Sequence, residues 1–133
     1  MFTICIFLFS LVQINLIAEN EVSKPIEVIE SYDSIQKWND LYKNDPHNPE
    51  NTYQLGESYY KLHDFSNAKV YFKKTIQLNP DHIDALLRLS YLSLWEGDLQ
   101  RAEEGFLKIL KAHPDYKEAQ GGYYFYPKGP GGE

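Results

Sequence analysis

The chain has 133 residues, of which 43% are hydrophobic and 24% are charged, a composition typical of one globular domain that can bury a core. Its formal net charge of −6 argues against nucleic acid or an anionic lipid surface as partner, because both require a basic face and the lysines form no basic stripe. The only cysteine, Cys5, excludes a disulfide within the chain and a thiolate metal cluster.

Residues 1–18 are almost wholly apolar and predict a secretory signal peptide with Ala18 as the last residue before cleavage. The run is short for a membrane span, which needs about 20 apolar residues. An uncleaved anchor and a buried helix are the alternatives. Residues 19–26 are polar, contain Pro25 and are interpreted as a linker. The segment therefore predicts an exported protein.

A first helix is predicted over about 27–44, and Pro46 and Pro49 follow it as a stop, because proline lacks an amide donor and restricts the residue before it. Its apolar residues recur at three- and four-residue steps, as one buried helical face requires. These residues are Ile35, Trp38, Leu41 and Tyr42.

Four further helices are predicted in two pairs. Asp64 is the expected N-cap of the second helix of the first pair, and Asp81 is expected to cap the start of the second pair. Gly97 is expected to adopt a left-handed conformation in the turn within the second pair. The helices are predicted over about 50–62, 65–78, 83–96 and 99–112.

The last segment, 117–133, begins like another helix but continues into Gly121, Gly122 and a run rich in tyrosine, proline and glycine. Glycine and proline both oppose helix formation. We expect a flexible tail, or a chain that stops short of its natural architecture. The outer face of the preceding helix, around Phe106, Ile109 and Leu110, would then need a cover. The alternatives are that the Tyr/Phe cluster at 123–126 folds back over it, that the chain self-associates through this uncapped C-terminal helix, or that further repeats are missing.

Several residue types repeat with a period of 34, which defines units at 49–82 and 83–116 after a half unit at 27–48. Such self-similarity is typical of stacked repeat proteins. The repeated sets are Pro46, Pro80 and Pro114, and the pairs Leu55 and Leu89, Asp64 and Asp98, Ala68 and Ala102, Phe72 and Phe106, and Asp81 and Asp115.

This pattern resembles the tetratricopeptide repeat, or TPR, over 27–116, which implies an all-α fold: a TPR-like α-solenoid of antiparallel helix pairs. In this resemblance small residues let paired helices approach, aromatic residues fill the space between units, and prolines end each unit. The departures are Thr75 and Ile109, where the family favours a second alanine, and Ser93, where Tyr59 would recur. The packing residues are Leu55, Gly56, Tyr59, Ala68, Phe72, Pro80, Leu89, Ser90, Ala102, Phe106 and Pro114.

A second resemblance concerns the run 92–99, followed by Ala102 and Glu103. It is similar to TPR segments that precede certain bacterial outer-membrane β-barrels. The resemblance implies that this chain could be a structural fragment or assembly adaptor of a larger cell-envelope protein, which is the alternative to an independent module.

The TPR resemblance implies that the first helix of each unit lines a concave groove for a peptide or a partner's helix. The corresponding surface is aromatic with few charges, and aromatic anchors dominate protein interfaces. The alternative is that these side chains pack on neighbouring helices. One TPR subclass grips a peptide's terminal carboxylate with Lys and Asn, which this groove lacks, so chaperone tails are not expected to bind. The groove residues are Tyr53, Glu57, Tyr60, Leu87, Arg88, Tyr91 and Trp95.

No motif indicates catalysis, a cofactor or a metal. The four histidines, His47, His63, His82 and His113, lie in turns and are interpreted as solvated turn residues. Neither glycine cluster joins a strand to a helix, as a phosphate-binding loop would. We therefore predict a non-catalytic protein-interaction scaffold without cofactor, exported, whose partner is a protein or peptide.

Overall fold

The computed structural model describes residues 26–124, so the predicted signal peptide, almost all of the predicted linker and residues 125–133 lie outside the described part. Ile26, assigned to the linker from sequence, is the first helical residue. Six α-helices follow one another along this part of the chain. They are α1 Ile26–Asn44, α2 Pro49–Lys61, α3 Phe65–Leu78, α4 Ile83–Trp95, α5 Leu99–Ala112 and α6 Lys117–Tyr124.

The first five helices lie where the hydrophobic period and the prolines predicted them, and each observed boundary differs from the prediction by one residue at most. Each helix packs on the next along the chain. The first helix is less buried than predicted, because Leu41 is exposed. The all-α, TPR-like architecture predicted from the sequence is confirmed.

Side-chain caps lie at the start of four of the helices, α2 to α5, and Asn48 caps the first of these by accepting from the Glu50 amide at 2.9 Å. The carboxylates of Asp64 and Asp98 accept hydrogen bonds from the amides of Asn67 and Arg101 at 3.1 and 3.2 Å. These bonds satisfy first-turn donors that have no partner within the helix. The predicted cap at Asp81 is wrong: α4 is capped by His82, whose ring Nδ1 accepts from the Ala85 amide at 3.3 Å.

The turns within the two complete helix pairs share one backbone conformation. Gly97 has φ +78°, as predicted, and His63, at the equivalent position 34 residues earlier, has φ +59°. A residue with a Cβ pays roughly 1–2 kcal/mol for the left-handed conformation. The sequence pattern therefore placed the glycine correctly but gave no sign that a histidine would adopt the same strained geometry.

The core consists of two clusters, each at a junction between successive pairs. The first joins Ala68 and Phe72 of α3 to Ala85 and Leu92 of α4. The second joins α5 to α6. Its buried members are Ala102, Phe106, Ile109 and Ala119. Since each junction buries its own apolar set, the described part is a linear stack of pairs and not a bundle around one centre.

A hydroxyl pair lies inside the first helix pair, where the family favours alanine. Thr52 Oγ1 and Thr75 Oγ1 are 2.9 Å apart, and both residues are fully buried. Thr52 Oγ1 also lies 2.8 Å from the Pro49 carbonyl oxygen and Thr75 Oγ1 lies 3.0 Å from that of Tyr71, so the two hydroxyl protons are shared among three contacts. The buried polar atoms are thereby satisfied, which is why threonine is tolerated there.

The expectation that glycines prevent a helix after residue 117 is wrong, because residues 117–124 form α6, while a chain that stops short of its natural architecture stays a prediction. An added Cβ on Gly122 would lie 2.3 Å from the Phe106 ring, so the absence of a side chain lets the α6 backbone pack directly on that ring. Phe106 and Ile109 are 0% and 2% exposed as a result. The predicted uncapped face of α5 is therefore covered by α6, while self-association of the chain stays a prediction.

None of the described helices combines the length and apolarity that crossing a membrane requires.

Candidate functional site

The seven predicted groove residues lie on α2 and α4, the first helices of the two complete pairs. Steps of three and four residues place side chains on one face of a helix. The structure brings the two sets together through contacts of Glu57 with Arg88 and of Tyr60 with Trp95. Their grouping agrees with a continuous surface, while their role in binding stays a prediction.

A bidentate ion pair joins the two helices. Arg88 Nε donates to Glu57 Oε1 at 2.7 Å, and Arg88 Nη2 donates to Glu57 Oε2 at 2.9 Å. The guanidinium also lies 4.7 Å from the centre of the Tyr60 ring. Burial acts to lower the pKa of Arg88, but the hydrogen bonds and charge of Glu57 outweigh it and raise that pKa. The charges of Arg88 and Glu57 therefore neutralise each other.

Beside this pair, Tyr60, Phe65, Tyr91 and Trp95 form what we call the aromatic array. Trp95 lies at its centre, with ring centroids 6.0 Å from Tyr60, 5.7 Å from Phe65 and 6.5 Å from Tyr91. Trp95 is nevertheless 59% exposed. Such contacts hold a ring in place while leaving much of its surface available.

Phe65 was not predicted as part of the site. It is the first residue of α3 and therefore belongs to the second helix of its pair, whereas the resemblance assigned the groove to first helices only. Its ring also meets Tyr60 edge-on at 5.4 Å. The signal available in the sequence was its place directly after the capping residue Asp64, close to the end of α2.

Three of the predicted groove residues are engaged in packing. The Tyr53 ring contacts the His82 ring, with centroids 4.6 Å apart and planes tilted by 37°, and it also contacts Phe72. Leu87 packs against the second core cluster. The Tyr91 ring meets Phe106 edge-on at 5.1 Å. The alternative prediction, that these side chains pack on neighbouring helices, thus describes Tyr53 and Leu87 and part of Tyr91.

Tyrosine hydroxyls at this face have altered acidity. Burial raises the pKa of Tyr53 to about 12, with further contributions from the charges of Glu57 and Asp84. Burial also raises the pKa of Tyr91, whose hydroxyl donates to the Glu118 main-chain carbonyl at 2.8 Å. Both groups are neutral near pH 7 and act there as hydrogen-bonding, largely apolar surfaces.

In the part of the chain that the structure describes, no group of acidic, histidine or cysteine residues is arranged to hold a metal ion. The exposed His47, His63 and His113 fit the predicted solvated turn positions. The prediction is wrong for His82, which is partly buried, caps α4 and contacts the Tyr53 ring.

Comparisons with known proteins show what this arrangement is similar to. Residues 61–122 match the family model described as tetratricopeptide repeat. Among 38 matching chains of solved structures is one titled as the first TPR of Spaghetti (RPAP3) bound to the HSP90 peptide SRMEEVD. It is 20% identical with a TM-score of 0.67, and the match covers 71% of this chain and 75% of that one. No curated protein matches the chain significantly. Residues 61–122 of this chain are therefore similar to tetratricopeptide repeats, and the stack of helix pairs has the fold of the solved TPR structure.

Proposed function

We propose that this chain is a non-catalytic protein-interaction module that binds a partner peptide across the aromatic array. The observation that carries the proposal is the 59% exposure of Trp95, although three other aromatic rings fix its position. Interfaces are enriched in aromatic anchors of this kind. Because the array is already ordered, binding would cost little side-chain entropy.

The chemistry of the surface suggests an apolar or aromatic peptide. Glu57 and Arg88 neutralise each other and leave no free cation at their positions for a ligand carboxylate. Tyr53, Leu87 and Tyr91 are uncharged near pH 7. A partner that buries an apolar side chain against Trp95 would recover about 25 cal/mol for each Å² of apolar surface removed from water.

A peptide ligand agrees with the solved relative, whose title names a bound HSP90 peptide. That peptide, SRMEEVD, is acidic and ends in aspartate. The predicted groove of this chain lacks the Lys and Asn pattern with which one TPR subclass grips a terminal carboxylate. We therefore propose peptide binding of the same general kind, with a different, less acidic ligand.

The test begins with selection of a random dodecapeptide display library on the full chain, followed by affinity measurement of enriched peptides by fluorescence anisotropy. We expect enriched peptides to contain aromatic or large aliphatic residues and to lose at least about tenfold in affinity for Trp95→Ala, the loss typical of a buried aromatic anchor. The matched controls are Val70→Ala and Leu107→Ala, which remove exposed apolar side chains from α3 and α5 outside the array.

Three results would contradict the proposal: no enrichment, equal loss in the controls, or peptides that bind Trp95→Ala unchanged. Unfolding of Trp95→Ala, seen by circular dichroism, would instead assign the tryptophan to packing, as the structural-fragment alternative assumes. Trp95→Phe keeps an aromatic ring in the array, and retained binding in that variant would show that the ring is the required feature.

We further propose that the chain is exported, on the basis of the apolar residues 1–18. Fusion of residues 1–25 to alkaline phosphatase lacking its own leader tests this in a Gram-negative host, because that enzyme becomes active only after export. We expect activity for the native segment and none when Leu8 and Leu11 are both replaced by arginine. Equal activity in the two fusions would contradict the proposal.

A further inference from the structure

The two complete helix pairs differ at one equivalent position of their packing. In the first pair, Tyr59 of α2 and Tyr71 of α3 stack with ring centroids 5.5 Å apart and planes only 6° from parallel. The residues 34 positions later are Ser93 of α4 and Gly105 of α5. The second pair therefore lacks both rings.

A cavity of about 280 Å³ lies at the corresponding place in the second pair, where it is lined by residues of α3, α4 and α5. Its apolar lining includes Leu86 and Leu89. Gly105 cannot contribute a side chain, because an added Cβ would lie 2.0 Å from Ser90 Oγ. The space corresponds to the rings that the first pair has and the second lacks.

Ser93 provides an unused hydrogen-bonding group in the lining. The residue is only 5% exposed, and its hydroxyl makes none of the hydrogen bonds found among residues 26–124; since every fully buried side-chain nitrogen and oxygen there has a partner, this hydroxyl is accessible to solvent. Its main-chain carbonyl, by contrast, accepts from the Asp98 amide at 2.9 Å. A nearly buried hydroxyl usually finds a partner. The cavity thus offers an apolar wall together with one free donor and acceptor, a combination that suits a phenol.

The rim of the cavity is basic although the whole chain is acidic. Two of its four cations are neutralised, Lys69 by Glu96 and Arg101 by Asp98. Lys73 has no ion-pair or hydrogen-bond partner in the described part of the chain.

Lys108 donates only to the main-chain carbonyl of Pro80, at 2.8 Å. The one carboxylate in the lining, Glu104, accepts from Gln100. Lys73 and Lys108 therefore leave one uncompensated cation on each of the helices α3 and α5.

We propose that this cavity binds a tyrosine side chain of a partner protein, with a carboxylate on each side of that tyrosine in the partner's sequence. The ring would fill the space left by the absent pair, its hydroxyl would meet Ser93, and the flanking carboxylates would meet Lys73 and Lys108. At ordinary ionic strength, the overall charge of −6 is screened beyond about 10 Å, so the local cations decide the attraction. This site is separate from the aromatic array.

The test uses the peptide acetyl-Gly-Glu-Tyr-Glu-Gly-amide, titrated into the full chain and followed by two-dimensional amide NMR. We expect shifts concentrated at Ser93, Gly105 and their neighbours. Replacing the peptide's tyrosine by alanine should weaken binding at least about tenfold, because the buried ring supplies most of the apolar contact. Replacing Lys73 and Lys108 by glutamine should weaken it about threefold to tenfold.

Ser93→Tyr restores one ring of the pair and should abolish binding, whereas Trp95→Ala should leave it unchanged. No binding at millimolar peptide, equal binding of the alanine peptide, or shifts centred on Trp95 would each overturn the proposal. If Ser93→Tyr does not fold, the location of the shifts in the native chain and the lysine variants still decide. Because the Trp95 variant separates the two surfaces, failure here leaves the proposed function untouched.

Discussion

Replacement of Gly122 by alanine tests whether α6 is an integral part of the stack. Alanine is favoured over glycine within a helix by roughly 0.5–1 kcal/mol, so propensity alone predicts stabilisation. The added Cβ, however, would lie 2.3 and 2.4 Å from two carbons of the Phe106 ring. Carbon atoms prefer separations of about 3.5–4.0 Å. The ring is fully buried and can move only by disturbing the second core cluster.

Overpacking of this kind typically costs 1–3 kcal/mol, so we expect Gly122→Ala to lower the free energy of unfolding by up to about 2 kcal/mol after the propensity gain is subtracted. In a domain of this size, about 1 kcal/mol corresponds to a shift of roughly 4–8 °C in Tm. Thermal unfolding followed by far-ultraviolet circular dichroism measures the change.

The adjacent Gly121 is the matched control, because nothing lies within 4 Å of a Cβ added there. Gly121→Ala keeps the propensity gain without the collision and should raise the free energy of unfolding by up to about 1 kcal/mol. If both variants stabilise the chain equally, then α6 does not pack on Phe106 as described and the reasoning is refuted.

Three further predictions concern the first pair and the turn within the second pair. In the folded chain the pKa of Tyr53 is raised to about 12, against about 10 in the unfolded chain. Its contribution to the free energy of unfolding is therefore fully present below pH 10 and is lost as pH rises towards 12. Urea titrations should show a smaller alkaline loss of stability for Tyr53→Phe. Thr52→Val and Thr75→Val should each cost about 1–3 kcal/mol, while the double variant should cost less than their sum, since no buried hydroxyl is left without its partner; additive losses would contradict this. Gly97→Ala should cost roughly 1–2 kcal/mol, because φ is +78° there, and an unchanged Tm would show that the turn relaxes.

The fold was accessible from the sequence because its signals are local and repeated. Prolines at a constant spacing end the helices, apolar residues recur at helical steps, and Asp64 and Asp98 cap helices as their type suggests. The error at α6 has a physical cause. Helix propensity counts Gly122 as a defect, whereas the packing of Phe106 requires a residue without a side chain there.

The candidate site was predictable only within each helix. Spacing identified which side chains share a face of α2 or α4, but it gave no axial register between the helices. The pairing of Glu57 with Arg88 and of Tyr60 with Trp95 depends on that register. Phe65 was missed because it joins the array from a third helix.

The unequal filling of the two pairs bears on how the stack would come apart. Repeats in a solenoid contact only their neighbours, so each junction contributes its own share of cohesion. In the first pair the Tyr59 and Tyr71 rings stack, whereas in the second pair Ser93 and Gly105 leave a void. The backbone amides of the first pair should therefore exchange their hydrogens more slowly than those of the second. Under heat or mechanical tension, the C-terminal half of the molecule would then detach first, and an occupant of the void would delay that step.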